Sequence, residues 1–192
     1  MKETRICIIG GGSRLWAIQF FKDLAYAKMT HGTVVLHDID HKAAVNNVSV
    51  GVQTFRVNES EGRFRFTCED NLEKALEGVD LVIISIEPGS IECRRGDLVL
   101  PEEYGILQSV GDTTGPGGIM RARRALPMFF SFAKAIEKVC PKAWVINYTN
   151  PMTLCTAALY KAFPGIKALG CCHEVFHTET FLAEKVAEWF GV

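Results

Sequence analysis

Two asparagines near residue 150 could bind a sugar or a nicotinamide ring. Asn147 and Asn150 lie in the segment 147–152 (NYTNPM), directly after an apolar run. An asparagine side chain offers both a donor and an acceptor, which suits a sugar hydroxyl or a carboxamide. The alternative is a turn that the asparagines close themselves, with Pro151 at the start of a helix.

A second segment, at the end of another apolar run, carries potential metal ligands. It contains Cys171, Cys172 and His173. Adjacent cysteine and histidine residues cannot form a closed zinc site by themselves, and no Cys-x-x-Cys partner is present. A buried cysteine pair beside a structural histidine is therefore the alternative. His177 could share a face with His173 if a helix begins here.

A glycine-rich segment near the amino terminus is typical of a nucleotide-binding loop. Gly10, Gly11, Gly12 and Ser13 follow a buried apolar run and precede a helical pattern. A pyrophosphate needs free backbone N–H groups, close approach of the backbone and a helix N-terminus. Leu15 stands where the usual third glycine would be, but the part of the motif that contacts phosphate is intact.

An acidic residue after the second apolar run indicates which dinucleotide would bind. Asp38 lies 26 residues after Gly12, close to the spacing expected for a group that binds a ribose diol. An acidic residue there favours NAD over NADP, because it would repel a 2′-phosphate. Asp40 is the alternative for this role. Ser85, at the end of a further buried run, is also predicted to bind the cofactor.

Residues 111–118 (GDTTGPGG) form a second glycine-rich segment, directly before Arg121, Arg123 and Arg124. So many glycines indicate a loop that approaches another group closely, although a flexible connection is the alternative. For the arginines, a solvated basic helix face is an equally good interpretation.

Apolar runs and helical patterns alternate along the chain, as parallel sheets require. Strands are predicted over residues 5–9, 33–36, 63–67, 81–85, 143–147 and 166–170. Helices are predicted over about 15–27, 42–54, 71–76 and 121–139, from Pro151 onward, and over 178–190. This order predicts an α/β fold with a doubly wound, mostly parallel sheet, a Rossmann-like NAD-binding domain over residues 1–192.

Composition narrows the class of protein. The 192 residues have a formal net charge of −1 and an isoelectric point near 6.5, so neither nucleic acid nor an anionic membrane is an expected partner. Seven scattered cysteines fit reduced thiols and a cytoplasmic location. We see neither a signal-peptide pattern nor an apolar run long enough to span a membrane.

Five motifs occur in the order and spacing found in glycoside hydrolase family 4, which the chain resembles over essentially its whole length. They are residues 9–13 (IGGGS), 94–97 (RRGD), 111–118, 147–152 and 170–173 (GCCH). The sequences of residues 108–112 (QSVGD) and 171–176 (CCHEVF) are most similar to those of the α-galacturonidase members.

The resemblance implies an unusual hydrolysis that depends on NAD rather than on two carboxylates. In this chemistry a hydride leaves C3 of the sugar, the C2 proton becomes acidic, and a divalent metal, usually Mn²⁺, stabilises the resulting enediolate. The glycosidic oxygen is eliminated, water adds, and C3 is reduced again. The expected substrate is a small glycoside, most simply an α-galacturonide.

The resemblance also implies a role for each matching residue. Gly10 to Ser13 and Asp38 would hold NAD, with Asn147 beside its nicotinamide half. Arg94 and Asn150 would bind substrate, and Cys172 would be the thiolate ligand of the metal. His173 would help to protonate the leaving group, and Asp112 stands at a catalytic position where glutamate is more common.

The family's second metal ligand, a histidine, and its catalytic tyrosine lie beyond residue 192. We therefore expect the carboxyl-terminal half of the family fold to be missing, the chain alone to be inactive, and exposed apolar surface to favour a homo-oligomer. Two alternatives are a dehydrogenase of the lactate/malate type and an NAD-binding fragment without activity. No clear pattern of arginines plus a catalytic histidine supports the dehydrogenase.

Overall fold

The computed structural model describes residues 3–27, 30–172 and 174–191. In these ranges the strands are β1 (Thr4–Ile9), β2 (Gly32–His37), β3 (Phe64–Cys68), β4 (Leu81–Ile84), β5 (Trp144–Asn147) and β6 (Lys167–Gly170). The α-helices are α1 (Trp16–Ala27), α2 (His41–Val57), α3 (Leu72–Ala75), α4 (Ile91–Val99), α5 (Gly115–Val139), α6 (Met152–Ala162) and α7 (Glu174–Phe190). A 3₁₀ helix, Leu100–Tyr104, follows α4 directly.

The six strands form one parallel sheet in the order β3-β2-β1-β4-β5-β6. This confirms the predicted fold class. The chain reverses its direction of winding between β1 and β4, where the loops after the two strands separate to opposite faces. In such sheets a ligand binds at this reversal, outside the carboxyl ends of the strands.

The strand register brings the predicted functional segments to one edge of the sheet. Ile9 pairs with Ile84, Ile84 with Asn147, and Asn147 with Gly170. The glycine loop, Ser85, the asparagine segment and the cysteine segment therefore begin side by side.

Side chains of β1 alternate between two apolar cores, one on each face of the sheet. Ile6 and Ile8 pack with residues of α1 and α2, including the buried Phe21 and Phe55. Cys7 and Ile9 pack in the other core, to which α5 and α6 contribute. Burial on both faces explains why the strands read as continuous apolar runs.

The largest differences from the predicted helices are at α4 and α5, and α7 also begins four residues before its predicted start. α4 was not predicted, because Asp97 is its single buried residue and its sequence has no apolar stripe. α5 begins six residues before the predicted start at Arg121, so part of the second glycine-rich segment is helical rather than a loop. A Cβ on Gly117 would lie 2.4 Å from the carbonyl oxygen of Asp97, so these glycines let α5 begin against α4.

No helix in the described ranges is long and apolar enough to cross a membrane.

Candidate functional site

The glycine loop after β1 crosses the end of β4 with no room for a side chain. Gly10 has a φ of +94°, and a Cβ there would lie 1.9 Å from the carbonyl oxygen of Ser85. Ser85 is buried, and its N–H donates to the carbonyl of Ile9 (2.9 Å). The Gly10 and Gly11 N–H groups both donate to the carbonyl of His37 (2.9 and 3.0 Å). The loop is thus fixed across the reversal point of the sheet.

Asn47 of α2 supports the same loop from behind. This buried side chain donates to the carbonyls of Gly11 (2.8 Å) and Ser13 (2.9 Å). The Ser13 hydroxyl accepts from the N–H of Trp16 (3.0 Å) and so caps the start of α1. Asn47 was missed by the sequence reasoning, because a single polar residue in a predicted helix gives no signal of a distant backbone partner.

The structure gives Asp38 and Asp40 different environments. Asp38 faces the loop, and its Oδ2 accepts from the N–H of Gly12 (2.9 Å). Asp40 is the N-cap of α2, where its Oδ1 accepts from the N–H of Ala43 (3.0 Å). Glycines with a carboxylate beside them are the elements that a dinucleotide-binding loop uses, and Asp38 stays the predicted ribose ligand.

Asn147 has the geometry of a turn that the asparagine closes itself. Its side chain is fully buried, and Oδ1 accepts from the N–H of Thr149 (2.8 Å). Its Nδ2 lies within hydrogen-bond distance of the carbonyls of Thr149 (3.2 Å) and Met152 (3.3 Å). Because both ends of the amide are used inside the turn, Asn147 shapes the segment, and its contact with a nicotinamide stays a prediction.

Asn150 and Asp112, two predicted site residues, meet across two segments. The Asn150 Nδ2 donates to the Asp112 Oδ2 at 3.4 Å. The other carboxylate oxygen accepts from the hydroxyl of Thr113 (3.0 Å). Asn150 precedes a cis peptide bond to Pro151. Asp112 lies just before α5, so the start of this helix brings it to the edge of the sheet.

The arginines of α5 do not form the solvated basic face that was one interpretation of the sequence. Arg121 is only 4% exposed and pairs with Glu87, and its Nε donates to the carbonyl of Asn150 (2.9 Å). Arg124 pairs with the buried Asp97. Arg123 is exposed, as that interpretation expected. Burial of a guanidinium requires a close carboxylate, which sequence spacing alone does not reveal.

Arg94, predicted to bind substrate, lies on α4 and joins the same group of charges. Its Nη1 is 3.2 Å from the Oε2 of Glu87. Glu87 was missed by the sequence reasoning. Its position three residues past β4, directly before Pro88, could have indicated a residue at the ligand-binding edge of the sheet. Thr149 was missed as well: its hydroxyl accepts from the N–H of Ile86 (3.0 Å), joining the loops after β4 and β5.

Cys172 is exposed just beyond β6, so the interpretation of 171–172 as a buried cysteine pair is wrong. The N–H of Cys171 donates to the carbonyl of Asn147 (3.0 Å), which fixes this segment beside the asparagine turn. Burial, with a contribution from Cys171, raises the pKa of Tyr148. His173 lies outside the described residues. Helix α7 begins at Glu174, so His177 lies within it.

Among the residues placed by the structure, no group of three or more His, Cys, Asp or Glu side chains could hold a metal ion. Cys172 alone does not make a site, and the described residues by themselves do not fit a complete metal centre.

Comparison with known proteins gives consistent matches over the whole chain. The profile described as "Family 4 glycosyl hydrolase" matches residues 5–188. An α-galacturonidase of Bacillus subtilis is 50% identical over 192 residues, which are 100% of this chain and 42% of that protein. The chain therefore spans about two fifths of the length of this relative.

Solved structures agree with the sequence comparison. A Bacillus subtilis structure has a TM-score of 0.90 and 51% identity, covering 100% of this chain and 43% of the other. The 6-phospho-β-glucosidase of Thermotoga maritima, solved with manganese, NAD⁺ and glucose 6-phosphate, has a TM-score of 0.77 and 26% identity. That match covers 99% of this chain and 44% of the other.

Proposed function

Because this chain belongs to family 4 of the glycosyl hydrolases, we propose that it binds NAD and a glycoside at the carboxyl edge of its sheet, as part of an α-galacturonidase. One observation supports this more than any other: the glycine loop, Asn150 and Cys172 follow the ends of β1, β5 and β6, which lie at the same edge of the sheet. Asp112 joins them there through its contact with Asn150. The 50% identity to an α-galacturonidase is the basis for the substrate class.

The residues that would hold NAD are those of the glycine cradle, Gly10 to Ser13, together with Asp38 and the backbone at Ser85. When bound, NAD supplies a hydride acceptor for transient oxidation at C3 of the sugar. The protein's own contribution is a loop that carries no side chain at Gly10 and that backbone hydrogen bonds hold across the end of β4. Asp38 would accept hydrogen bonds from the ribose hydroxyls.

The glycoside would lie between the loops after β4 and β5. Asn150 presents an amide whose orientation is set by Asp112. Arg94 presents a half-exposed guanidinium, which suits the carboxylate of a uronide. His173 and Asp112 remain the proposed proton-transfer residues.

A divalent metal, with manganese the first candidate, would take Cys172 as one ligand. Manganese is present in the Thermotoga maritima structure, and the resemblance in sequence assigns the thiolate. Since the described residues do not complete a metal site, the ion would need ligands besides Cys172.

The test is hydrolysis of an aryl α-galacturonide, with and without NAD⁺ and Mn²⁺. The protein tested is the polypeptide encoded by the whole open reading frame that contains these 192 residues. We expect activity only when both are present, and no net NADH. The 192-residue chain alone should bind NAD⁺ in calorimetry but turn over nothing. Hydrolysis that ignores both additions would contradict the proposal, and NADH accumulation with a hydroxy acid would instead indicate a dehydrogenase, which family membership does not favour.

Two further properties belong to the same proposal. All seven cysteines are free, which is consistent with a reducing compartment such as the cytoplasm. We also propose a homo-oligomer, because α7 has no buried residue and exposes the large apolar side chains Val175, Phe176, Phe181, Leu182, Val186, Trp189 and Phe190.

A further inference from the structure

We propose that Glu87 is a positioning residue, which holds the two predicted substrate-binding residues Arg94 and Asn150 in one arrangement. The inference rests on the proposed function and extends it to a residue that lies outside the five family motifs.

Glu87 bridges two guanidinium groups, one on each of its carboxylate oxygens. Oε2 lies 3.2 Å from Nη1 of Arg94, and Oε1 accepts from Nη1 of Arg121. The two arginines belong to different helices, α4 and α5, while Glu87 follows β4. One carboxylate thus ties two helices to the end of a central strand.

Arg121 carries the effect of Glu87 to Asn150. Its side chain is 4% exposed, and a guanidinium so deeply buried needs a close carboxylate to remain in place. Its Nε donates to the Asn150 carbonyl at 2.9 Å, while Asp112 accepts from the Asn150 side chain at 3.4 Å. Asn150 is therefore held from two sides, and Glu87 secures one of them.

Arg94 depends on Glu87 more directly. Its side chain is 48% exposed, so little packing restricts its rotation. A side chain with many rotamers loses entropy when a ligand immobilises it, and an anchor present before binding reduces that loss. Two guanidinium groups share one carboxylate here, so a positive charge remains to meet an anionic sugar.

The neighbouring acidic residue cannot replace Glu87. Asp97 is buried, and both its oxygens accept from Arg124, Oδ1 at 3.1 Å from Nη1 and Oδ2 from Nη2. Loss of the Glu87 charge would therefore leave Arg94 and Arg121 without this acceptor.

The experiment compares Glu87→Gln, Glu87→Asp and a matched control, Glu73→Gln, which removes an exposed ion pair with Lys138 far along the chain. Dissociation constants for NAD⁺ and for D-galacturonate are measured by NMR titration of the same longer polypeptide that the hydrolysis test uses, and a wild type that binds NAD⁺ but not galacturonate would also overturn the positioning role. We expect Glu87→Gln to keep NAD⁺ affinity within about twofold and to weaken galacturonate binding by roughly tenfold or more. Glu87→Asp should recover part of the loss, and Glu73→Gln should match the wild type.

Folding is checked with a second variant. Since Glu87→Gln leaves a buried guanidinium unpaired, the double variant Glu87→Gln/Arg121→Met removes both charges and should remain folded. It should bind NAD⁺ normally and galacturonate as weakly as the single variant. In the wild type, the Nε–H signals of Arg94 and Arg121 should be resolved, and in Glu87→Gln both should broaden or shift.

The outcomes separate the two proposals. A wild-type chain that binds no NAD⁺ would overturn the proposed function. A wild-type chain that binds NAD⁺, with galacturonate affinity and arginine signals unchanged in Glu87→Gln, would overturn the positioning role alone. Equal loss of NAD⁺ and galacturonate binding would mean that Glu87 acts on overall structure, and this too would overturn it.

Discussion

Individual residues at the carboxyl edge of the sheet are fixed by close contacts that few other residue types could make. Gly10 lies against the carbonyl of Ser85, and Asp38 accepts from the N–H of Gly12. Asn147 uses its whole amide within the turn and at the start of α6. The positions of these atoms are therefore set before any ligand arrives.

The tightest of these contacts makes Gly10→Ala the most damaging small substitution in the loop. An alanine would need a positive φ and would place its Cβ 1.9 Å from the Ser85 oxygen. We expect a loss of about 2 kcal/mol or more in stability and no measurable NAD⁺ binding. Thermal unfolding and calorimetry measure the two effects. Gly62→Ala, also at positive φ but with no atom within 4 Å, is the control; if it lost NAD⁺ binding too, crowding at Ser85 would not be the cause.

Substitution of the two aspartates after β2 should separate binding from stability. Asp38→Ala should weaken NAD⁺ by ~1.5–3 kcal/mol, the range for a hydrogen bond to a charged group. Asp40→Ala should leave NAD⁺ affinity unchanged and lower stability by about 1 kcal/mol through loss of the α2 cap. Calorimetric titration and chemical denaturation give the two quantities. The reverse result would assign the ribose to Asp40.

The site residues that belong to one continuous segment were predictable from the sequence. The contacts between residues far apart in the chain were not. A glycine loop after a buried run and an acidic residue at the next strand end follow from backbone geometry. Glu87 and Arg121 are 34 residues apart and meet only because α5 begins beside the end of β4. Asn47 reaches a loop 36 residues earlier for the same kind of reason.

Helices α4 and α5 position most of the charged residues of the site, and their contact depends on glycine. The N–H of Gly117 donates to the Gln108 Oε1 (3.0 Å), whose amide nitrogen donates to the carbonyl of Asp97 (3.2 Å). The six strands and most helices were predictable from apolar periodicity. The start of α5 was not, because its glycines are selected for close approach rather than for helix formation.

Gly117→Ala tests this contact. A Cβ would lie 2.4 Å from the carbonyl oxygens of both Asp97 and Gly111, so the backbone must shift. We expect a loss of roughly 1–3 kcal/mol in stability, as for overpacking. Gly96→Ala, in α4 with open space around it, should instead gain about 0.5–1 kcal/mol. Urea unfolding compares the two, and equal stability of both variants would contradict the close contact.

The molecule as a whole keeps three thiols away from solvent. Burial raises the pKa of Cys7 to about 12, of Cys140 to about 11 and of Cys155 to about 12. A hydrogen bond from Ser90 lowers the pKa of the exposed Cys93 thiol. Folding thus disfavours ionisation of the three buried thiols and favours it at Cys93.

Stability should fall as the pH rises above the ordinary thiol pKa of 9.0. Above pH 9 the unfolded chain loses thiol protons that the folded chain retains, up to about pH 12 for Cys7 and Cys155 and about pH 11 for Cys140, so the free energy of unfolding decreases by about 1.4 kcal/mol per pH unit and thiol. Below pH 9 these groups contribute no slope. In chemical denaturation, the free energy of unfolding of Cys155→Ala should decrease less steeply with pH, by the contribution of one thiol. Cys93→Ala should keep the slope of the wild type. An unchanged slope in Cys155→Ala would mean that this thiol ionises in the folded state.

The exposed apolar side of α7 makes self-association testable. We expect the average mass from light scattering to rise with protein concentration, and Phe181→Lys with Leu182→Lys to keep the chain monomeric. Tyr26→Lys, an exposed aromatic residue on α1, is the control. A monomer at every concentration would contradict the proposed oligomer.

The hydrogen bond between Ile86 and Thr149 joins the loop after β4 to the loop after β5, and Arg121 joins them again at Asn150. In the proposed function NAD touches the first of these loops at Ser85 and the glycoside lies between both, and any coupling of their affinities acts by the same factor in both directions. We expect galacturonate to bind more tightly once NAD⁺ is present, and NAD⁺ to gain an equal factor from galacturonate; equal galacturonate affinities with and without NAD⁺ in calorimetry would contradict this coupling. A high concentration of the sugar would then slow the release of the dinucleotide from this chain.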